Sequence, residues 1–374
     1  MKEQKHKSIF RLLIKNSFLI TAYSVLILLI MSVISPFINP HVFWIPAFTG
    51  LAFPYIFTST IIFFLLILLR GYKKHLLIFL PFILYGTYVF SGYYHPGWFN
   101  NDVPEKGMVK IMSFNVRLFD LYNWKNNEHN KNKIFKYLKS EDPDIICFQE
   151  YYYQKDGKFS TSDTLIKFLS ANKVHASFPV VNKGLYYFGI ATLTKFPIIN
   201  KGEIIFPGTS NMTIYTDVIM FDDTVRIYNN HLESIRFGKE DYEFIDKIDF
   251  KVDSVEVRDT KNIIKRIKHA FTKRANQADS VAAHIAACKY PVIVCGDFND
   301  TPVSYSYQTI GSGLKDSYIE SGSGIGSTYN GKIPMLRIDY IFHSPIFNAY
   351  DFKVGKEDLS DHFPITCLIG KAEK

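Results

Sequence analysis

Apolar and polar positions are unevenly distributed along this chain. Between Phe18 and Tyr94 they resolve into three long uncharged runs, Phe18–Ile38 (21 residues), Val42–Leu69 (28 residues) and Leu76–Tyr94 (19 residues). A helix needs about 20 apolar residues to cross a bilayer core. Each run therefore predicts a membrane-spanning helix, and the second is long enough to tilt or to kink at Pro46 or Pro54. A secretion signal would account for the first run alone, but two more follow and no small-residue cleavage site stands out. Three such runs in succession also argue against buried core helices of a soluble fold.

From about Asn100 onward the pattern shortens and alternates. Apolar runs that read as strands lie at Met108–Val116, Asp144–Glu150, Tyr187–Ile198, Pro291–Asp300, Arg337–Ser344 and Phe363–Gly370. Met212–Phe221 and Thr224–Leu232 read as an antiparallel pair turning at Asp222-Asp223. Helical spacing appears in Asn132–Pro143 and over Lys261–Ala287, with a charged stretch of lid or loop character before the latter. Many strands with few helices predict a layered α/β (α+β) domain with mixed or antiparallel sheets.

Charge sets the expected topology. Of the 43 Lys and Arg, eight lie before residue 100, and of the 35 Asp and Glu only Glu3 does. Lys2, Lys5, Lys7, Arg11 and Lys15 flank the first run, and Arg70, Lys73 and Lys74 separate the second from the third. The loop Asn39–His41 has neither Lys nor Arg. Positive loops stay cytoplasmic. The N-terminus and the second loop are therefore placed inside, and three spans bring the rest of the chain out on the extracytoplasmic side; two or four would reverse this. The remainder carries 35 basic against 34 acidic residues. That balance removes the simplest argument for nucleic acid, which favours a net basic face. The basic stretch Lys261–Arg274 reads as a solvated helix face, the alternative being contact with phosphates or lipid headgroups. Cys147, Cys288, Cys295 and Cys367 form no CxxC pair, so a zinc site is not expected, and Cys147 and Cys295 read as buried thiols.

The informative feature is what ends the strands. Apolar runs terminate in Asn115, Glu150, His231, Asp297 with Asn299, Asp339, and Asp361 with His362. One polar strand end is ordinary. Six of them predict convergence on a single pocket, where so many ionisable groups are costly to bury without a partner. A hard divalent cation with oxygen ligands removes that cost. The same residue types suit phosphoester hydrolysis, which needs charge neutralisation at the phosphoryl oxygens, a base for water and an acid for the leaving group.

The segments "SFNVR", "ICFQE", "YFGIATLTKFPI", "NNHLES", "GDFNDTP", "RIDYIF" and "SDHFPI" occur in this order. Together they resemble the endonuclease/exonuclease/phosphatase superfamily over roughly Met108–Ile369. The resemblance implies a DNase I-like four-layered sandwich, two packed mixed β-sheets flanked by helices. It implies a Mg²⁺ or Mn²⁺ ion near Asn115, Glu150 and Asp361, with Glu150 the principal ligand. It implies Asp297 as the group that orients or deprotonates water, Asn299 as a phosphate holder, and His362 at the scissile phosphate, polarised by Asp339. His231 matches the second histidine of DNase I-like and phosphatase-like branches. Tyr187 lies near a phosphate-contacting tyrosine position that Tyr186 could equally take. Arg117 stands where repair nucleases carry an acid, which points away from abasic-site repair.

The domain plan expected is a basic cytoplasmic segment at 1–17, a transmembrane region at 18–94 with helices at 18–38, 42–69 and 76–94, a linker at 95–107 and a catalytic domain at 108–370. The expected protein is an integral, multi-pass phosphoesterase whose partners are the lipid bilayer and a phosphoester substrate: lipid headgroup, inositol phosphate or nucleic acid. The alternatives are a surface-exposed Mg²⁺-dependent nuclease and a catalytically inactive membrane receptor or scaffold. Substrate choice is expected to rest with the segments Tyr151–Ser160 and Ile235–Arg258.

Overall fold

The computed structural model describes residues 2–97, 107–121, 127–155, 160, 165, 173–235, 254–331 and 333–372. The chain divides into two compact units, Met1–Ser91 with Val303–Tyr305, and Gly92–Pro302 with Ser306–Lys374.

The first unit is helical. α1 spans Lys2–Ile34, α2 Ile45–Leu51, α3 Phe53–Leu69 and α4 Lys73–Phe90. Among the described residues, Leu12–Phe37 is the one helix long and apolar enough by itself to cross a membrane. The second apolar run is not one helix. It breaks at Ala52 into α2 and α3, bent by 75°, which meet the same test only as a pair. Pro54 explains the break, because a proline fits the first turn of a new helix and not the interior of an old one. The third run is shorter than its uncharged length suggested. α4 opens on Lys73, Lys74 and His75 and ends at Phe90. Tyr94, placed in the third span by the sequence, lies instead in a strand. Close packing holds α3 to α4, where a Cβ on Gly86 would come within 2.5 Å of the Phe57 ring.

The second unit opens with β1 (Tyr94–His95), which pairs with β11 (Gly324–Ile325). Most of the expected linker, residues 98–106, falls outside the described residues. Two six-stranded sheets follow. The first contains β2 (Val109–Asn115), β3 (Ile145–Gln154), β4 (Lys173–Asn182), β5 (Tyr186–Thr194), β13 (Phe347–Val354) and β14 (Ile365–Lys371). Its order is β13-β14-β2-β3-β5-β4, with β2 and β3 parallel. The second contains β6 (Ile198–Ile205), β7 (Met212–Met220), β8 (Asp223–His231), β9 (Val292–Asp297), β10 (Lys315–Asp316) and β12 (Asp339–His343). Its order is β10-β12-β9-β8-β7-β6, with β8 and β9 parallel.

Side-chain parity builds the layers. Ile111, Cys147, Ile227, Cys295, Ile341 and Cys367 share the core between the sheets. Met112, Phe114, Ile146 and Phe148 face outward and are covered by Ile134, Phe135 and Leu138 of α5 (Asn127–Glu141). Tyr228, Val294 and Tyr340 face outward from the other sheet and are covered by Ala278 and Val281 of α6 (Ser254–Ala286). The result is a four-layered sandwich, helix, sheet, sheet, helix, with both sheets mixed. The four cysteines are free, and Cys147, Cys295 and Cys367 are buried.

Candidate functional site

Parity also assembles the site. Successive strand residues point to opposite faces. Val109, Ile111 and Ser113 point between the sheets, and the next residue in that row is Asn115. Val225, Ile227 and Asn229 lead in the same way to His231. Ile293 and Cys295 lead to Asp297, and Ile341 pairs back through β12 to Asp339. The register sets Asp297 opposite Asp339 and His231 beside Asp297. Each inward row starts apolar and turns polar toward the site, through Ser113 to Asn115 and through Asn229 to His231, and the members at that end meet.

Glu150 requires a departure from regular strand. Inward parity in β3 falls on Gln149, whose amide donates to Asn229 Oδ1 across the sheets at 2.7 Å. The pairing of β3 with β5 shifts between Phe148 and Tyr151, and Glu150 adopts φ 48°. This left-handed conformation costs a non-glycine residue about 1–2 kcal/mol. The bulge turns Glu150 toward Asn115, whose Nδ2 is 3.4 Å from Glu150 Oε1, and toward His231, whose Nε2 is 4.0 Å away.

Asp297 is the hub. Its Oδ2 accepts from Asn115 Nδ2 at 3.0 Å and from Asn299 Nδ2 at 3.1 Å, and its Oδ1 accepts from the Asn299 backbone at 2.8 Å. His231 Nε2 stands 3.9 Å and His362 Nε2 3.7 Å from Oδ2. His362 Nδ1 contacts Asp339 Oδ2 at 3.0 Å, and its ring meets Tyr329 edge-on. Asp361 lies at the rim, 3.7 Å from Arg117 Nε. Of the residues singled out from the sequence, Asn115, Glu150, His231, Asp297, Asn299, Asp339, Asp361 and His362 are thus brought into one neighbourhood.

Tyr187 stands apart. It pairs with Tyr153, three residues beyond Glu150 along β3, and its hydroxyl donates to Gly184 O in the β4–β5 turn. Tyr186 lies one step further along, paired with Gln154.

Burial and crowding shape the charges. Burial raises the Glu150 carboxyl above its usual range, and the nearby Asp361 charge adds to this. Asp297 is pushed up to about 6, first by burial and then by Asp339, against the lowering pull of His362 and His231. Burial lowers His231 and favours its neutral form. Burial also acts to lower His362, but the Asp339 and Asp297 carboxylates outweigh it and raise that histidine well above its ordinary value.

These observations test the fit of a cation. Glu150, Asp297, Asp339 and Asp361 crowd four carboxyl groups together, and two of them are driven toward the neutral form. Added positive charge would relieve that crowding, and the oxygen-rich donor set suits a hard ion rather than a thiophilic one. Among the described residues, Asp297, Asp339 and His362 offer possible ligand atoms that lie mutually within 4.8 Å. His362 already carries an ion pair to Asp339, whereas Glu150 has weaker company: an amide at 3.4 Å and a histidine lowered by burial.

Sequence reasoning missed several supports. Thr328 Oγ1 accepts from the backbone of Ile338 and of Asp339. Ser360 Oγ donates to Asn115 O at 2.8 Å. Arg274, read from the sequence as part of a solvated face, is fully buried; its Nε donates to Asp300 and its Nη1 to Glu233 O. Only the polar residues inside "GDFND" and "SDH" hinted at such supports.

Residues 112–362 match the model of the Endonuclease/Exonuclease/phosphatase family, and residues 15–93 match a domain of unknown function. No curated protein matches the chain. Among solved structures, an endonuclease/exonuclease/phosphatase family protein from Leptotrichia buccalis is 18% identical, with 70% of this chain and 99% of that one covered and a TM-score of 0.50. The human Nocturnin catalytic domain, solved with a sulfate anion, is 20% identical, covers 74% and 98%, and has a TM-score of 0.50. A humanized TDP2 of D. rerio is 19% identical, covers 71% and 100%, and has a TM-score of 0.50. At identities this low the likeness shows the fold alone.

Proposed function

The chain belongs to the endonuclease/exonuclease/phosphatase family, and on that premise we propose that it is a membrane-anchored, divalent-metal-dependent phosphodiesterase acting on an ester at a membrane surface, a lipid headgroup ester. One observation carries the hydrolytic reading: Asn115, Glu150, His231, Asp297, Asp339 and His362 meet at one edge of the sandwich, with Asp297 within 4 Å of both histidines.

Each group has a task that its surroundings support. His362, raised by its carboxylate neighbours, carries a proton on Nε2 and gives it to the leaving ester oxygen as the bond from that oxygen to phosphorus breaks. Asn299 Nδ2 and neutral His231 contribute further polar contacts. Asp297 Oδ2, fixed by two amide donors, accepts the proton of the attacking water. Asn115 and Glu150 would hold Mg²⁺ or Mn²⁺, with Asp361 nearby. Bound there, the ion would supply charge neutralisation for the phosphoryl group.

The anchor reading rests on Leu12–Phe37. We propose a multi-pass region at 18–94, a linker at 95–107 and a catalytic domain at 108–370 on the extracytoplasmic side. The basic flanks Lys2–Lys15 and Arg70–Lys74 support that orientation. Tethering raises the effective concentration of a substrate in the same bilayer.

The test is hydrolysis by the full chain reconstituted in phospholipid vesicles with Mg²⁺, read as released headgroup. Wild-type chain should release it and Glu150→Gln should not; equal release by the two would overturn the assignment.

A further inference from the structure

Three strands lose their regular pairing at one level. β3 and β5 shift register between Phe148 and Tyr151, and β4 and β5 between Ser177 and Val180. Gly189 sits between the two shifts, and a Cβ there would fall 1.8 Å from Ser177 O. Only glycine permits that approach. A cleft of about 250 Å³ lies at these irregularities, and Gly189, Glu150 and His231 are among the residues that line it.

The walls of this cleft differ from the catalytic cluster beside it. Leu118, Pro179, Val180, Phe188 and Ile190 supply apolar surface, and Ser210 and Asn211 supply uncharged polar groups. The Phe188 ring is braced at 5.1 Å by Tyr152. Neither Lys nor Arg is among the described residues that line it, and the acid that does is Glu150. A group bearing further negative charge would meet the apolar side chains of Leu118, Pro179, Val180, Phe188 and Ile190 with no Lys or Arg among the described lining residues to pair with it, which is costly. An uncharged organic group with an apolar face would be stabilised by burial.

We propose that this cleft holds the group esterified to the scissile phosphoryl, and that it selects an uncharged group with an apolar face over one bearing extra phosphates. The inference rests on the hydrolytic reading above and narrows its substrate class. It also places specificity on the β4–β5 hairpin, with Phe188 the ring against which the group lies.

The experiment measures kcat and KM of the full chain in detergent micelles with Mg²⁺, using bis(p-nitrophenyl) phosphate and inositol trisphosphate as probes. Phe188→Ala should raise KM for the aryl diester roughly tenfold with kcat little changed. Val180→Lys, which brings a cation to the rim, should shift the ratio of kcat/KM between the probes roughly tenfold toward the polyphosphate. Unchanged KM in the first and an unchanged ratio in the second, with Glu150→Gln inactive, would overturn the cleft assignment and leave the hydrolytic reading standing. Full activity of Glu150→Gln would overturn both. Circular dichroism matching wild type is required of each variant, with Phe188→Leu as the alternative should Phe188→Ala fail to fold.

Discussion

Nδ1 of His362 lies 3.0 Å from Oδ2 and 3.2 Å from Oδ1 of Asp339, so one buried carboxylate engages that nitrogen. Nε2 is left facing Asp297 at 3.7 Å. Asp339 therefore fixes both the ring orientation and the charge of His362. Asp339→Asn preserves the shape and removes the charge. It should lower kcat on the order of 100-fold, the scale of a lost acid–base contribution, with KM changed little. Steady-state hydrolysis of a phosphodiester by the solubilised chain checks this, and a kcat within twofold of wild type would be the contrary result.

The carboxyl crowding around Asp297 predicts a metal effect readable without catalysis. Glu150 and Asp297 are both raised by burial and by neighbouring carboxylates. A bound divalent cation should stabilise the folded state by an amount that grows with the logarithm of its concentration above the dissociation constant. At 100-fold excess over the dissociation constant that is about 2.7 kcal/mol. The thermal midpoint of the catalytic unit should rise with Mg²⁺ and fall back with EDTA, and Glu150→Gln should lose most of the rise. An equal Mg²⁺ shift in that variant would place the ion elsewhere.

How far these features are legible in the sequence depends on whether local pattern carries them. The strands that carry Asn115, His231, Asp297 and Asp339 alternate with period two, and the chemistry of the member at the site end of each row is visible. β4 and β13 are edge strands and show no clean row, and Pro179 interrupts β4. Tyr151–Gln154, the start of a segment expected to select substrate, continue β3 past its bulge. The turn of Glu150 out of parity is a tertiary effect, because Gln149 takes the inward position to reach Asn229 on the other sheet. Arg274 was illegible for a similar reason: helix spacing marks a face but not whether a buried acid waits on it. The segment Ile235–Arg258, expected to select substrate, lies mostly outside the described residues.

Arg274 and Asp300 form an ion pair at 3.0 Å with both side chains buried. The same guanidinium donates to Glu233 O, so it ties the loop after β9 to the loop after β8. Removing one partner leaves a buried charge uncompensated, which costs about 3–5 kcal/mol. Arg274→Met should therefore lower the thermal midpoint of the catalytic unit sharply. Combining it with Asp300→Asn should restore a good part of the loss, because the uncompensated carboxylate is then gone. Additive losses in the double variant would mean that the two residues act separately.

His175 predicts a pH dependence away from the catalytic cluster. It lies in β4, buried, with Nδ1 bonded to Thr216 Oγ1 at 2.8 Å. Burial, with a smaller contribution from the Lys201 charge, lowers it to about 4. Near pH 7 the ring is neutral in the folded chain, and acid affects the unfolded chain first. Between pH ~6.5 and ~4 the unfolded state binds the proton that the folded state refuses, so stability falls as pH falls. Below about pH 4 both states are protonated and the loss is complete, on the order of 3 kcal/mol for a shift of this size. His175→Gln keeps a polar partner for Thr216 and cannot titrate. Its thermal midpoint should fall less steeply than wild type across that window, and parallel curves would show that this histidine does not set the acid limb.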